Sequence, residues 1–227
     1  MVDDDLMDSV RRYDLHTHTL FSPCGSMKPA ELIAQAISVG LHGIAITDHD
    51  TMAGVFEGQK IVPTSFEIIP GEEITTDRGE VIGLFLTEEI SPGPFDEVLF
   101  QIRSQNGIIV LPHGFDPFRK AIMPSDREAK RFDAIEVLNG RSKFSCINAK
   151  AQAYAQRNNC AMVCGSDAHY LFELGSVAFI VAGNTDIRTA IITGGIISGK
   201  RTGVYPLVSR EIRKTVRKKW NDLFAGE

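Results

Sequence analysis

Several things are scarce in this chain, and each scarcity excludes something. There are four cysteines, Cys24, Cys146, Cys160 and Cys164, and no two form a CxxC pair. That spacing argues against a disulfide framework and fits a reducing compartment. No apolar run is long enough to span a bilayer, and the acidic N-terminus "MVDDDLMDSVRR" has no hydrophobic signal core. A cytoplasmic protein with no transmembrane segment is the expectation. Positive charge is short as well: 24 Lys and Arg face 29 Asp and Glu, a net charge of -5. Contact with a polyanion therefore requires a local basic patch. Internal repeats, low-complexity tracts and linkers are all absent, so one domain over 227 residues is the economical reading.

What is present is an alternation of short apolar runs with amphipathic stretches. "RYDLHTH" reads as a strand and "KPAELIAQAISVG" as a helix, with Pro29 near its start and Gly40 at its end. "GIAITDH" is the next strand and "MAGVFEGQKIV" the next helix. "FEIIPGEEIT" and "EVIGLFL" read as two strands joined by a turn at "TDRG". The helix "FDEVLFQIRSQN" and the strands "GIIVLPH" and "AIEVLN" follow. After them come the helix "SCINAKAQAYAQRNN", the strand "AMVCGSDAH", a further strand "SVAFIVAG" and a helix "DIRTAIITG". The pattern predicts an α/β fold, and the number of repeats suits a barrel better than a small open sheet.

The polar residues are placed unevenly along this pattern. Five of the six histidines, His16, His18, His49, His113 and His169, come at the ends of apolar runs, as do Glu73 and Asp167. In an α/β barrel those ends form one face, so the seven side chains are expected to converge. Residues two apart on a strand share a face, which pairs His16 with His18 and Asp167 with His169. Imidazoles and carboxylates without a cysteine quartet suit Zn, Mn or Fe in a site open to substrate. The sixth histidine, His42 in "GLHG", precedes its strand and is expected on the opposite rim.

These motifs resemble the polymerase and histidinol phosphatase (PHP) family. "DLHTHT", "ITDHDT", "PGEEIT", "VLPHGFDPFR" and "GSDAH" are similar to its motifs and stand in its order between residues 14 and 169. The resemblance implies a distorted (β/α)7 TIM-like barrel with two or three divalent metals, used mostly for phosphoester hydrolysis. It implies that His16, His18, Glu73 and Asp167 hold a first metal. Glu73 would bridge, and His49, His113 and His169 would complete the shells. Glu72 faces the other side of its strand and is the weaker candidate. Asp14 and Asp48 are expected to orient imidazoles.

The chain departs from the family at two places. The loop "SPCG" carries Cys24 where an aspartate or histidine is usual. Around Ile82 in "GEVIGLFL" a histidine is missing. Two metals are therefore expected rather than three, and Cys24 reads first as a small buried thiol, with ligation of a soft ion such as zinc as the alternative.

The implied chemistry is in-line attack of a metal-activated water on phosphorus, with the seven converging side chains as the catalytic set. His169 or a metal-bound water would protonate the leaving group. Arg119 and Arg141, each following a strand, are expected to grip phosphate. The substrate is expected to be a small phosphorylated metabolite or a nucleotide. The alternatives are a nuclease or nucleoside bisphosphate phosphatase, and a non-catalytic metal-binding PHP module. Hydrolysis of C–N bonds on a related barrel calls for a lysine ending a middle strand, and none stands there. Lastly, "SREIRKTVRKKWNDLF" places Ile212, Val216, Trp220, Leu223 and Phe224 opposite a row of Lys and Arg. It reads as a basic amphipathic helix over about 209–224, which docks on the barrel or touches nucleic acid or an anionic membrane surface.

Overall fold

A computed structural model of the chain describes residues 10–202. The basic segment at 209–224 lies outside the described residues. Among the described residues nine strands form one sheet: β1 (Val10–Thr17), β2 (Gly43–Ile46), β3 (Glu67–Thr76), β4 (Gly79–Leu84), β5 (Ile108–Leu111), β6 (Ala134–Asn139), β7 (Ala161–Gly165), β8 (Val177–Ala182) and β9 (Ile196–Gly199). Five helices connect them: α1 (Pro29–Ser38), α2 (Ala53–Gln59), α3 (Phe95–Ser104), α4 (Ser145–Arg157) and α5 (Ile187–Thr193).

The strand order β7-β6-β5-β4-β3-β2-β1-β8-β9 bends round until the ends of the first seven meet. Past β7, Asp167 N–H donates to the His16 carbonyl at 2.8 Å, and His18 N–H donates to the Ala168 carbonyl at 2.9 Å. These bonds draw the segment after β7 against the top of β1 and nearly close a seven-stranded barrel. β8 pairs antiparallel with the lower part of β1, and β9 with β8. The sequence pattern gave no sign of β9, whose side chains are largely exposed.

Among the seven barrel strands one runs against the others. β4 is antiparallel to both β3 and β5, whereas β1–β2, β2–β3, β5–β6 and β6–β7 are parallel pairs. The cause is the two-residue turn at Asp77 and Arg78, closed by Gly79 at φ 132°, which leaves no room for a crossover helix. The start of β4, rather than its end, therefore reaches the rim that carries the histidines.

Side-chain alternation divides the core in two. Leu15, Ala45, Ile69, Ile82 and Val110 belong to one buried cluster, and Ile44, Ile46, Ile109 and Ile135 to another that includes helix residues such as Leu32 and Ile102. α3 shows the pattern plainly. Phe95, Val98, Leu99 and Ile102 are buried at helical spacing, while Phe100 is 71% exposed. At the opposite end of the barrel His42 is exposed, its Nδ1 accepting from Arg12 N–H at 3.1 Å. Truncating a fully buried aliphatic side chain removes its burial and leaves a cavity. Ile102→Ala should lower the unfolding free energy by about 2–5 kcal/mol in chemical denaturation, with metal uptake of the folded protein unchanged.

Candidate metal centre

The convergence begins with an irregularity in β1. Asp14 pairs with Ile44 and Thr17 with Ile46, so three steps of β1 span two of β2. This β-bulge shifts the alternation. Tyr13 and Leu15 remain in the apolar cluster below, yet His16 and His18 both turn into the site. β6 has a similar irregularity between Glu136 and Leu138, and Glu136 and Asn139 both face inward, Asn139 Nδ2 donating to Glu136 Oε2 at 3.0 Å. Gly165 of β7 makes room for the crowding. A Cβ there would lie 2.2 Å from His16 Cβ and 2.8 Å from Glu136 Oε1. His113 and Asp167 are held at φ 32° and 56°, strained values for residues with side chains and common where geometry serves a site.

At the centre is Glu73, fully buried. Its Oε2 lies 3.3 Å from His16 Nε2, 3.3 Å from His18 Nε2 and 3.2 Å from His49 Nδ1. Its Oε1 lies 2.7 Å from His113 Nε2. Asp167 Oδ1 is 3.3 Å from His18 Nε2 and 3.4 Å from His169 Nδ1. Three donor groups result, each with ligand atoms within 4.8 Å of one another: His16, His18 and Asp167; Glu73, Glu80 and His113; His18, His49 and His169.

The surroundings fit these groups to a divalent cation. Glu136 Oε1 accepts from His16 Nδ1 at 3.0 Å, Ser22 Oγ lies 3.1 Å from His18 Nδ1, and the Asp167 carbonyl accepts from His169 Nδ1 at 2.8 Å. A proton on Nδ1 leaves the Nε2 lone pair of each ring facing inward, as a metal ligand requires. Asp167 Oδ1 is buried with no hydrogen-bond partner, and a buried carboxylate oxygen calls for a positive or donating neighbour. Divalent metal binding is what this donor set supports.

The electrostatics show how tightly the groups depend on one another. Burial opposes charge on His16, but Glu136, Asp167 and Glu73 outweigh it and hold the imidazole pKa well above its usual value. Burial likewise opposes charge on Glu73, and His49 and His16 outweigh it, leaving the carboxyl well below the usual range. Burial pushes His49 down to about 4. Burial, then the Glu73 charge, pushes Glu80 up to about 7.

All seven strand-end residues meet here, and the groups expected around them divide. Asp48 Oδ1 accepts from Thr19 N–H at 2.6 Å and from Ser22 Oγ at 2.7 Å, so it reaches His18 through Ser22. Asp14 does not orient an imidazole: its Oδ1 accepts from the backbone N–H of Ser166 at 2.8 Å and of His16 at 3.3 Å. It fastens β1 to the segment after β7. Glu72 faces away, accepting from Ile90 N–H at 2.9 Å.

Arg119 borders a cavity of about 530 Å³ with His49, His169 and Glu80, and it pairs with Asp167 Oδ2. Arg141 is not at the rim. It is fully buried, with Nε 3.1 Å from Glu173 Oε1, while Glu173 Oε2 accepts from His169 N–H at 2.6 Å. It braces the loop that carries His169, and its burial is a matter of tertiary packing rather than chain position.

Two residues outside the expected set belong to the centre. Glu80 opens β4, its Oε1 3.8 Å from His49 Nδ1 and its Oε2 3.7 Å from His113 Nε2. Acidic chemistry thus enters two positions before Ile82, on the same face of the strand. Glu136 sits in mid-strand; the signal available was a lone charge inside the apolar run "AIEVLN". Because Glu136 fixes the His16 tautomer, Glu136→Gln should weaken metal binding by roughly 10–100-fold in calorimetric titration of the metal-stripped protein. Unchanged affinity would remove Glu136 from that role.

Known proteins agree with this geometry. The family model of the PHP domain matches residues 14–180. An uncharacterized protein of Methanocaldococcus jannaschii is 38% identical over 173 residues, covering 73% of this chain and 68% of its own. A 5'-3' exoribonuclease of Haemophilus influenzae is 27% identical over 228 residues, covering 92% of this chain and 73% of its own. A crystal structure from Bacteroides vulgatus, a two-domain protein described as containing a predicted PHP-like metal-dependent phosphoesterase, superposes with a TM-score of 0.68 at 19% identity. That likeness concerns the fold and covers 82% of this chain; the chain spans 63% of that protein. Among the described residues no helix is long and apolar enough to cross a membrane. With three-quarters of its length under the family model and the family's strand-end residues gathered at one rim, the chain belongs to the PHP domain family.

Proposed function

We propose that the protein hydrolyses a phosphoester by in-line attack of water on phosphorus, at a centre holding at least two divalent ions (Mn, Zn or Fe). The observation that carries this reading is the division of Glu73. One oxygen faces His16, His18 and His49 and the other faces His113, the arrangement of a carboxylate that bridges two cations. His16, His18 and Asp167 would hold one ion, and Glu80 and His113 the other. Such ions supply a water that ionises near neutral pH and positive charge against the phosphoryl oxygens.

The chain's own groups do the rest. Arg119 Nη2 is buried and has no hydrogen-bond partner, while Nη1 is tied to Asp167. The free nitrogen can donate to a phosphate oxygen, and the carboxylate keeps the guanidinium in place. Lys120 adds charge at the same cavity. Arg141 faces Glu173 and does not line this cavity. His169 donates its Nδ1 proton to the Asp167 carbonyl. A neutral ring so placed has a lone pair, not a proton, at Nε2, which disfavours it as general acid and favours it as a donor to a cation. A soluble phosphorylated metabolite or a nucleotide would fit a cavity of this size.

A second reading, a nuclease or nucleoside bisphosphate phosphatase, has its own observation. Phe118 lines the cavity and is 59% exposed. Its ring lies 5.7 Å from that of Phe144, and Lys143 Nζ stands 4.5 Å from the Phe118 centroid. An exposed aromatic with a cation beside a phosphate site suits a base stacked next to its backbone. The name of the Haemophilus influenzae relative points the same way.

Chelation, or His18→Ala with Glu73→Ala, should reduce kcat/KM on an aryl phosphate by about 10³-fold or more, matching several kcal/mol of lost charge stabilisation. Activity that survives both would refute the site. Phe118→Ala should raise KM for a nucleotide substrate by roughly 5–100-fold and leave KM for a short alkyl phosphate unchanged. Equal effects on both substrates would count against base stacking.

A further inference from the structure

We propose that Cys24 supplies a thiolate to a third cation position, shared with His169 and His49, and that it makes this corner of the centre select a soft ion such as Zn²⁺ over Mn²⁺ or Mg²⁺. The inference rests on the reading of the site as a metal centre, and the first experiment below separates the two.

The loop after β1 is built to fix this cysteine. Leu20 N–H donates to the Met27 carbonyl at 2.8 Å, and Gly25 N–H to the Ser22 carbonyl at 3.1 Å. Gly25 lies so close to the chain that a Cβ there would fall 1.8 Å from the Thr19 carbonyl oxygen. Ser26 Oγ donates to the His169 carbonyl at 2.8 Å, which ties the loop to the residue it faces. Cys24 Sγ consequently sits 3.0 Å from His169 Nε2, the ring nitrogen that carries the lone pair.

One observation independent of the cysteine points to a cation here. The ring nitrogens of His18, His49 and His169 lie within 4.8 Å of one another. Cys24, His49 and His169 all line the same open cavity, so an ion can reach them from solvent. Zinc bound tetrahedrally by one sulfur and one imidazole places those two atoms roughly 3.6 Å apart. The observed pair has to open by only about half an ångström, within reach of a small χ1 rotation of the cysteine. Imidazole and carboxylate donors accept Mn, Fe and Zn alike, whereas thiolate discriminates strongly for the softer ion. The replacement of an oxygen or nitrogen donor by sulfur therefore changes which metal is held, rather than removing the position.

The test uses the full chain, stripped with chelator and titrated with Co²⁺. The wild type should show visible d–d absorption together with a near-ultraviolet sulfur-to-cobalt charge-transfer band, and Cys24→Ser should keep the first and lose the second. Cobalt uptake without that band, or a band undiminished in Cys24→Ser, overturns the thiolate ligand. No cobalt uptake at all would instead overturn the metal centre itself. In competition, Cys24→Ser should lower the preference for Zn²⁺ over Mn²⁺ at one position by roughly tenfold or more, and Cys24→Asp should bind both ions with little preference. A readout on the unmodified protein guards against misfolded variants. Zn²⁺ should protect Cys24 from alkylation by iodoacetamide, read by peptide mass spectrometry, and an unchanged alkylation rate counts against the proposal.

Discussion

The burial of Glu73 is the constraint on which the rest of the site depends. A carboxylate with no exposure to water is tolerable only when positive or donating groups surround it. Here four imidazoles from three segments do so, and each of those rings is itself buried or half-buried. Two of these rings, and His169 beside them, have partners on their outer nitrogens. These are Glu136 behind His16, Ser22 and Asp48 behind His18, and the Asp167 carbonyl behind His169. One buried charge thus specifies positions on β1, β3 and β6, on the segments after β2, β5 and β7, and in the loop after β1.

Such a shell is hard to build on a regular barrel, and the irregularities of the sheet lie where it is built. The bulge in β1 turns His16 and His18 inward above Tyr13 and Leu15, and that in β6 does the same for Glu136 and Asn139. Gly165 lets β7 pass His16 at a distance no side chain would permit. The positive φ angles of His113 and Asp167 fall among the side chains that face Glu73 or the rings around it. Strain of this kind persists only where the neighbours over-determine it. The Asp14 bonds to Ser166 and His16 N–H, and the buried Arg141–Glu173 pair under the His169 loop, supply that determination.

How much of this was legible in the sequence follows from which rules are local. Strand ends can be read from apolar runs, and residues two apart on a strand share a face, so the seven convergent residues and the barrel were accessible. Glu80 was not, because it begins a strand. Reading it required knowing that the tight turn at Asp77 and Arg78 reverses β4, so that among the barrel strands it alone offers its first residues to the rim. Glu136 lies inside a run that reads as core, and only tertiary contact shows that its charge is paired. Arg141 and Asp14 were assigned by proximity along the chain. Burial redirected both: the enclosed guanidinium faces Glu173, and the enclosed carboxylate accepts from backbone N–H groups.

The two apparent departures from the family pattern then take a common physical form. Near Ile82, where a histidine is absent, Glu80 stands one turn of the pleat earlier and faces His49 and His113. In the loop after β1, where a carboxylate or imidazole is absent, Cys24 faces His169. Each corner carries a side chain of different hardness in place of the usual one. The β4 side gains a second carboxylate beside Glu73, which raises negative charge and favours hard cations there. The opposite side has sulfur beside imidazoles, a softer donor set that favours soft cations. A site that is symmetric in the number of its donors is thus asymmetric in their chemistry, and the asymmetry runs along the cavity from Glu80 to Cys24.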